Sequence, residues 1–549
     1  MKASGLFVRC LEAEGVDTIF GLPGEENADL MMSLGDSSIR FILCRHEQAA
    51  AFMANTYGRL TGRAGVCLAT LGPGATNLVT GVADGNMDRA PMVVITGQAD
   101  TKRQHKESHQ SMDVVSMFRP ITKWSESVQH PDNIPEMVRK AFKLAEMEKP
   151  GACMIELPED IAAAETTAVP IEPVRLRRPG ADYKAVAAAI ELIRSASSPV
   201  ILAGNGAIRK RASHQLGIFA RHTGIGVINT FMGKGAVPRS DPHALFTMGL
   251  QSRDLVSCAM DEADLVIAVG YDLVEYHPRL WNMGNAKRVL HIDFLPAEVD
   301  ENYRVAVEIV GDIANSLWSL NEGLGDKAAP LYDIGRHRRM REAILTDLAA
   351  YKDDDTDGTI KPQKALWDCR QVMGPNDILL SDVGAHKMWI ARYYQCDEPN
   401  TCLIPNGFCS MGGSLPGAIA AKMIHPDRRV LAVCGDGGVM MNIQDFETAV
   451  RYGANIVILV WEDRDYGLIS WKQENHFGRH VDMTFTNPDF VKLAEAFGGW
   501  GRRVTRSRDL RGTLEEAFNC GKPAIVTMDV DYSENQKLTQ RLGEITCAI

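Results

Sequence analysis

The chain has 549 residues, of which 45% are hydrophobic and 23% charged, and its formal net charge is −11. That length exceeds one ordinary core and implies about three domains of soluble, globular character. Scattered charge with no basic stripe excludes nucleic acid as a partner, and no apolar run reaches the ~18 residues of a membrane span.

The first residues lead into a helical pattern rather than into a charged stretch followed by an apolar core, which predicts no secretory signal. The twelve cysteines show no Cys-x-x-Cys and no Cys/His cluster. Several, such as Cys67, Cys153 and Cys434, sit in apolar runs, as buried reduced thiols of a cytoplasmic protein do.

Short runs rich in Val, Ile and Leu recur along the chain, near Val66, Met92, Pro199, Leu265, Ile378, Val430 and Ile456. Segments with helical spacing lie between them. Continuous apolar strands alternating with amphipathic helices predict an α/β fold of parallel sheets covered on both faces. Two stretches without apolar periodicity, 166–182 and 351–362, read as linkers. They leave three α/β blocks: 1–165, 183–350 and 362–549.

In the first block, Arg45-His46-Glu47-Gln48 reads as a strand end opening a helix, where an acid offsets the helix dipole. A strand from Val66 then ends in Gly72-Pro73-Gly74-Ala-Thr-Asn77 before the next helix. In the middle block, Gly204-Asn205-Gly206 follows a strand but lacks the third glycine of a dinucleotide fingerprint.

The last block has the strongest signal. A strand from Val430 ends in Gly435-Asp436-Gly437-Gly438, and a helix follows. Glycines at such a turn let backbone N–H groups approach an anion. Asp436 would repel a bare phosphate, so it implies a divalent cation between the two; magnesium prefers such oxygen ligands. One strand–helix–strand unit later comes Glu462-Asp463-Arg464-Asp465-Tyr466-Gly467, at the same sheet edge. Asp436 and Asp463 could then meet on one cation.

These passages resemble the thiamine-diphosphate enzymes over essentially the whole chain, and most of all the catabolic, flavin-independent acetolactate synthases. The likeness to that branch lies in His109-Gln110-Ser111-Met112-Asp113, in Asn229-Thr-Phe-Met-Gly-Lys234 and in Ala385-His386-Lys-Met-Trp. It implies three doubly wound domains: pyrimidine-binding, central and diphosphate-binding. It implies thiamine diphosphate and Mg²⁺ as cofactors, with no FAD expected in the central domain. By resemblance Glu47 hydrogen-bonds the cofactor's aminopyrimidine and activates it, and Gln110 and His109 face the reacting carbonyl. Glu25 stands where related decarboxylases carry a catalytic Asp.

The same resemblance puts Pro23, Gly72, Pro73 and Asn77 against the aminopyrimidine. It puts Gly384, Ala385, His386 and Ser410 in the diphosphate half, with Met411 wedged under the cofactor. Gly435, Gly437 and Gly438 form the phosphate turn, followed by Tyr466, Gly467, Leu468 and Ile469. Asp436 and Asp463 would ligate the metal by side chain, and Asp465 by its backbone carbonyl. The family's Asn-Asn pair is Glu462-Asp463 here, which adds negative charge.

Ile469 and Trp471 are the substrate-facing positions. Simple decarboxylases of the family protonate the fragment left after CO₂ departs, using a Glu where this chain has Ile469. Without that donor the fragment meets a second carbonyl, so the reading favours carboligation of pyruvate or another 2-oxo acid. Trp471 and Glu25 depart from the synthase pattern and leave a bulkier or aldehyde acceptor open. The rival readings are a non-oxidative 2-oxo acid decarboxylase and a catalytically silent cofactor-binding homologue. Family members share sites between subunits, which implies a homodimer or a homotetramer.

Overall fold

The computed structural model describes residues 1–174, 178–249, 255–325, 330–533 and 535. Among them, three six-stranded sheets form, and every pairing within them is parallel. The first sheet holds β1 (Thr18–Leu22), β2 (Arg40–Leu43), β3 (Gly65–Ala69), β4 (Met92–Gln98), β5 (Trp124–Ser127) and β6 (Ala152–Pro158). The second holds β7 (Pro199–Ala203), β8 (Val227–Asn229), β9 (Ala244–Thr247), β10 (Leu265–Val269), β11 (Arg288–Asp293) and β12 (Val305–Val310). The third holds β13 (Ile378–Ser381), β14 (Cys402–Leu403), β15 (Val430–Gly435), β16 (Val457–Glu462), β17 (Trp500–Val504) and β18 (Ala524–Asp529).

The apolar runs of the sequence become central strands because helices cover both faces. All seven residues of β4 and all seven of β6 are buried. The first sheet runs β2-β1-β3-β4-β6-β5 and the third β14-β13-β15-β16-β18-β17, which is the same order. The two outer sheets thus repeat one topology. The second sheet runs β9-β8-β7-β10-β11-β12, the doubly wound order of dinucleotide-binding folds. No helix or strand occurs among the described residues between Ala163 and Tyr183, or between Ala349 and Pro362.

The two outer domains share one core. Phe20, Met53 and Val94 of the first pack in the same cluster as Leu380, Leu415 and Val460 of the third. Small residues make that seam close. The helix Glu47–Thr61 buries Ala49, Ala50, Ala51 and Ala54 and meets the helix Ser414–Ile424, where Gly417 leaves room for Thr56. Gly65 opens β3 so tightly under that first helix that a Cβ there would stand 2.1 Å from the Ala54 carbonyl oxygen.

No helix among the described residues is long and apolar enough to cross a membrane. Among the described residues ten cysteines are free thiols, eight of them buried.

Gly65→Ala must push backbone against backbone, at a cost of about 1–3 kcal/mol. We expect its thermal midpoint to drop by several degrees. Gly5→Ala, in a helix with nothing within 4 Å of the new methyl, should leave the midpoint unchanged or raise it. Equal midpoints for the two variants would contradict the close approach.

Candidate active site

In a wholly parallel sheet, ligands gather outside the carboxyl ends of the strands, where the strand order reverses. In the first sheet that place lies beyond β1 and β3. There β3 leads to the helix Gly72–Met87, and nearby β2 leads to the helix that Glu47 opens. His46 caps that helix, its Nδ1 accepting from the Gln48 N–H at 3.1 Å. Glu47 is buried, and one of its oxygens, Oε2, accepts from Asn77 Nδ2 at 2.9 Å. The other, Oε1, faces Gly74, whose missing Cβ would lie 3.4 Å away.

The loop holding His109 and Gln110 returns to the same edge. Gly72 has φ +42°, and a Cβ on it would meet the Gln110 carbonyl oxygen at 2.4 Å; only glycine accepts both conditions. The side chains of His109 and Gln110 are exposed. Gln98 anchors the loop, donating to the Met112 carbonyl at 3.0 Å and to Glu156 at 2.9 Å. Pro23 is half-buried and Pro73 exposed at this edge. Glu25 is exposed, whereas its neighbour Glu26 accepts from Thr70 Oγ1 at 3.1 Å.

The third sheet repeats the plan beyond β13, β15 and β16. Asp436 is buried. Its Oδ2 accepts from the N–H groups of Asp463 at 3.1 Å and Arg464 at 2.8 Å, and from Asn487 Nδ2 at 2.8 Å. Its Oδ1 accepts from the Gly437 N–H at 2.9 Å. Burial, and then the neighbouring Asp436, push the Asp463 carboxyl up to about 7. Asp465 accepts from Ser470 Oγ at 2.5 Å, which leaves the coordinating chemistry to two carboxylates. Glu462 turns away, towards Arg503, Thr527 and Asn487.

Beside this pair lies the turn before the helix Ala385–Tyr393. His386 is buried, and its Nε2 has no hydrogen-bond partner. Burial holds its ring well below the usual range, at about 4, so the ring is neutral. It stands against both Gly384 and Gly435. Met411 lies on the loop between β14 and the helix Ser414–Ile424. Asn442 donates to the Gly412 carbonyl at 2.8 Å and so ties that loop to the glycine turn.

The helix Gly467–Phe477 carries Leu468, Ile469 and Trp471. Only Ser470 of its eleven residues is buried, and Ile469 is 48% exposed. Gly467 lies over Asp463, while Gly437 lies under the Tyr466 ring.

These residues fit an anion held through a divalent cation. Two facing carboxylates, one reluctant to ionise, favour a cation; a glycine turn favours an anion beyond it. Among the described residues no three His, Cys, Asp or Glu side chains converge on one point. A cation here would take its other ligands from backbone oxygen and the anion, as magnesium often does.

The central crevice is occupied by the protein itself. Glu275 accepts from the backbone N–H of Asn205 at 2.9 Å, from Asp272 N–H at 3.0 Å and from Thr230 Oγ1 at 2.5 Å. Burial and Asp272 push it up to about 8. The N–H group that a dinucleotide phosphate needs after β7 is therefore taken.

Three anchoring residues escaped the sequence reading. Asn487 joins Asp436 to Glu462. Asp382 accepts from Gly412 N–H and from Ser414 N–H and Oγ, at 2.8–3.1 Å. Asp84 accepts from Ser410 N–H at 3.1 Å. Each is a single polar residue whose partner lies far along the chain, so no local pattern marks it.

Fold and site together fit a three-domain α/β enzyme with a buried acid at one sheet edge and a carboxylate pair beside a glycine turn at another. Family models agree in order along the chain. The N-terminal TPP binding domain of thiamine pyrophosphate enzymes matches residues 1–117, the central domain 186–320 and the C-terminal TPP binding domain 382–528. The acetolactate synthase of Bacillus subtilis (strain 168) is 33% identical, covering 99% of this chain and 96% of its own. The catabolic acetolactate synthase of Raoultella terrigena is 37% identical, covering 98% and 96%. A probable acetolactate synthase large subunit of Methanocaldococcus jannaschii is 35% identical, covering 100% and 95%. The chain belongs to the thiamine pyrophosphate enzymes, among the acetolactate synthase relatives.

Asn77→Asp would set a second carboxyl within 3 Å of Glu47, and two such groups do not ionise together. The acid limb of the kcat/KM profile should move to higher pH by about one unit or more. Asn77→Ala, which removes a donor but adds no charge, should move that limb less than Asn77→Asp does. An unshifted profile in Asn77→Asp would contradict the pairing with Glu47.

Proposed function

We propose that this protein is an acetolactate synthase-type carboligase. It releases CO₂ from one pyruvate and joins the remaining two-carbon fragment to the keto carbon of a second, giving 2-acetolactate. The observation that carries this reading is the buried Glu47, fixed by Asn77, on a sheet edge matching the one that bears Asp436 and Asp463.

Asp436, Asp463 and the Asp465 carbonyl would hold Mg²⁺. Gly435, Gly437, Gly438 and the His386 ring would face the diphosphate, with Gly384 and Ala385 in the adjoining turn. Bound thiamine diphosphate supplies the electron sink that lets the carboxylate leave. Glu47 holds a proton at the aminopyrimidine ring nitrogen through Oε1, because Asn77 keeps Oε2 occupied. Gln110 and His109 present N–H donors to the substrate oxygen, where charge develops. Leu468, Ile469 and Trp471 line the acceptor side with apolar surface. Ile469 gives no proton there, so the fragment waits for a second carbonyl carbon instead of being quenched.

We read the enzyme as flavin-free, because Glu275 fills the central crevice. We also read it as a homodimer or homotetramer with shared sites. The exposed helix carrying Ile469, with Phe477 72% exposed, suits cover by a second copy.

The test is product identity with Mg²⁺, thiamine diphosphate and pyruvate. We expect acetolactate. Acetaldehyde alone would replace this reading with a simple decarboxylase; cofactor binding with no CO₂ release from any 2-oxo acid would mark a silent homologue. Glu47→Gln should lose at least about a hundredfold in turnover while melting like the parent protein. Near-normal turnover in that variant would refute the role of Glu47.

A further inference from the structure

Met411 sits between two residues whose N–H groups are each held by a buried carboxylate, and the two carboxylates come from different domains. Gly412 N–H donates to Asp382 Oδ1 at 2.9 Å, within the third domain. Ser410 N–H donates to Asp84 Oδ1 at 3.1 Å, across the domain seam. The start of the same loop is held by Asp88, which accepts from Gly407 N–H at 2.7 Å and Asn406 N–H at 3.3 Å. Asp84 lies in the last turn of the helix Gly72–Met87, on its buried face, and Asp88 caps that helix.

The other neighbours of the pair are fixed too. Asp84 Oδ2 accepts from Asn55 Nδ2 at 3.0 Å, and Asp88 Oδ2 meets Arg59 at 3.1 Å. Asn55 and Arg59 both belong to the helix that Glu47 opens. The helix that Glu47 opens therefore holds the two acids that hold the Met411 loop. Burial, and then Asp88, push the Asp84 carboxyl up to about 8, while the Ser410 N–H pulls it down. The contact with Ser410 needs an acceptor oxygen at this point.

We infer that Asp84 is a positioning residue: the first domain sets the loop that supports the cofactor in the third domain of the same chain, through the Asp84 oxygen on Ser410 N–H. The inference rests on the reading of Met411 as the support beneath thiamine diphosphate.

Two variants separate oxygen from charge. Asp84→Asn keeps an acceptor for Ser410 N–H, and Asp84→Leu removes it. We expect Asp84→Leu to weaken thiamine diphosphate binding by about tenfold or more, the scale of one buried hydrogen bond left unmade. Binding is read by quenching of tryptophan fluorescence in the presence of Mg²⁺. In the cofactor-free protein, hydrogen exchange over 406–412 should quicken, with exchange elsewhere unchanged. Asp84→Asn should restore both towards the parent values.

Parent-like affinity in Asp84→Leu would overturn the inference, as would an equal loss in Asp84→Asn or unchanged exchange over 406–412. Should Asp84→Leu fail to fold, Asp84→Ala withdraws the acceptor with a smaller side chain and is judged by the same readouts. Failure of the parent protein to bind thiamine diphosphate would instead refute the functional reading itself.

Discussion

A wholly parallel sheet delivers every strand's carboxyl end, and every following helix N-terminus, to one edge. The rest of this molecule depends on that constraint. It gathers Glu47, Gly72 and Gln110 from distant parts of the first domain without requiring contact between them in sequence. It does the same for His386, Asp436 and Asp463 in the third domain. Because the two outer sheets share one strand order, the same edge is used twice, once for Glu47 and once for the Asp436 and Asp463 carboxylates beside the glycine turn. The middle sheet has the order of a dinucleotide-binding fold, yet Glu275 spends its crevice on an internal hydrogen-bond network.

The second constraint is the seam between the outer domains. Alanines and glycines bring the helix Glu47–Thr61 and the helix Ser414–Ile424 close enough to share one core. At such a distance polar groups are cut off from water and must be paired. Asp84, Asp88 and Asp382 answer the loop N–H groups there, and Asp445 answers the Arg45 N–H at 2.9 Å. The seam is thus held by non-directional packing and registered by directional hydrogen bonds. A one-residue slip would be costly in the second term even where the first tolerated it.

Much of this was legible in the sequence. Alternating apolar runs and helical segments announced covered parallel sheets, because strands buried on both faces cannot afford polar positions. The glycine turn with its single acid stood out because that residue type is wrong for a bare phosphate. Strand order was not legible: nothing local says which strands are neighbours. The anchors were hidden for a related reason. Asp84 looks like any acid on a helix until Ser410, 326 positions away, is placed beside it. Gln98 and Asn487 likewise act through partners that periodicity does not predict.

The central claim is that Glu47 and Asp436 belong to two halves of one site, contributed by different chains. Mixing two inactive variants, Glu47→Gln and Asp436→Asn, after dissociation and reassembly tests it directly. Random reassembly makes hybrid dimers with one intact site each, so activity should return to about a quarter of the parent level. No recovery, with hybrid dimers demonstrated by native mass spectrometry, would contradict the account and place each site within a single chain.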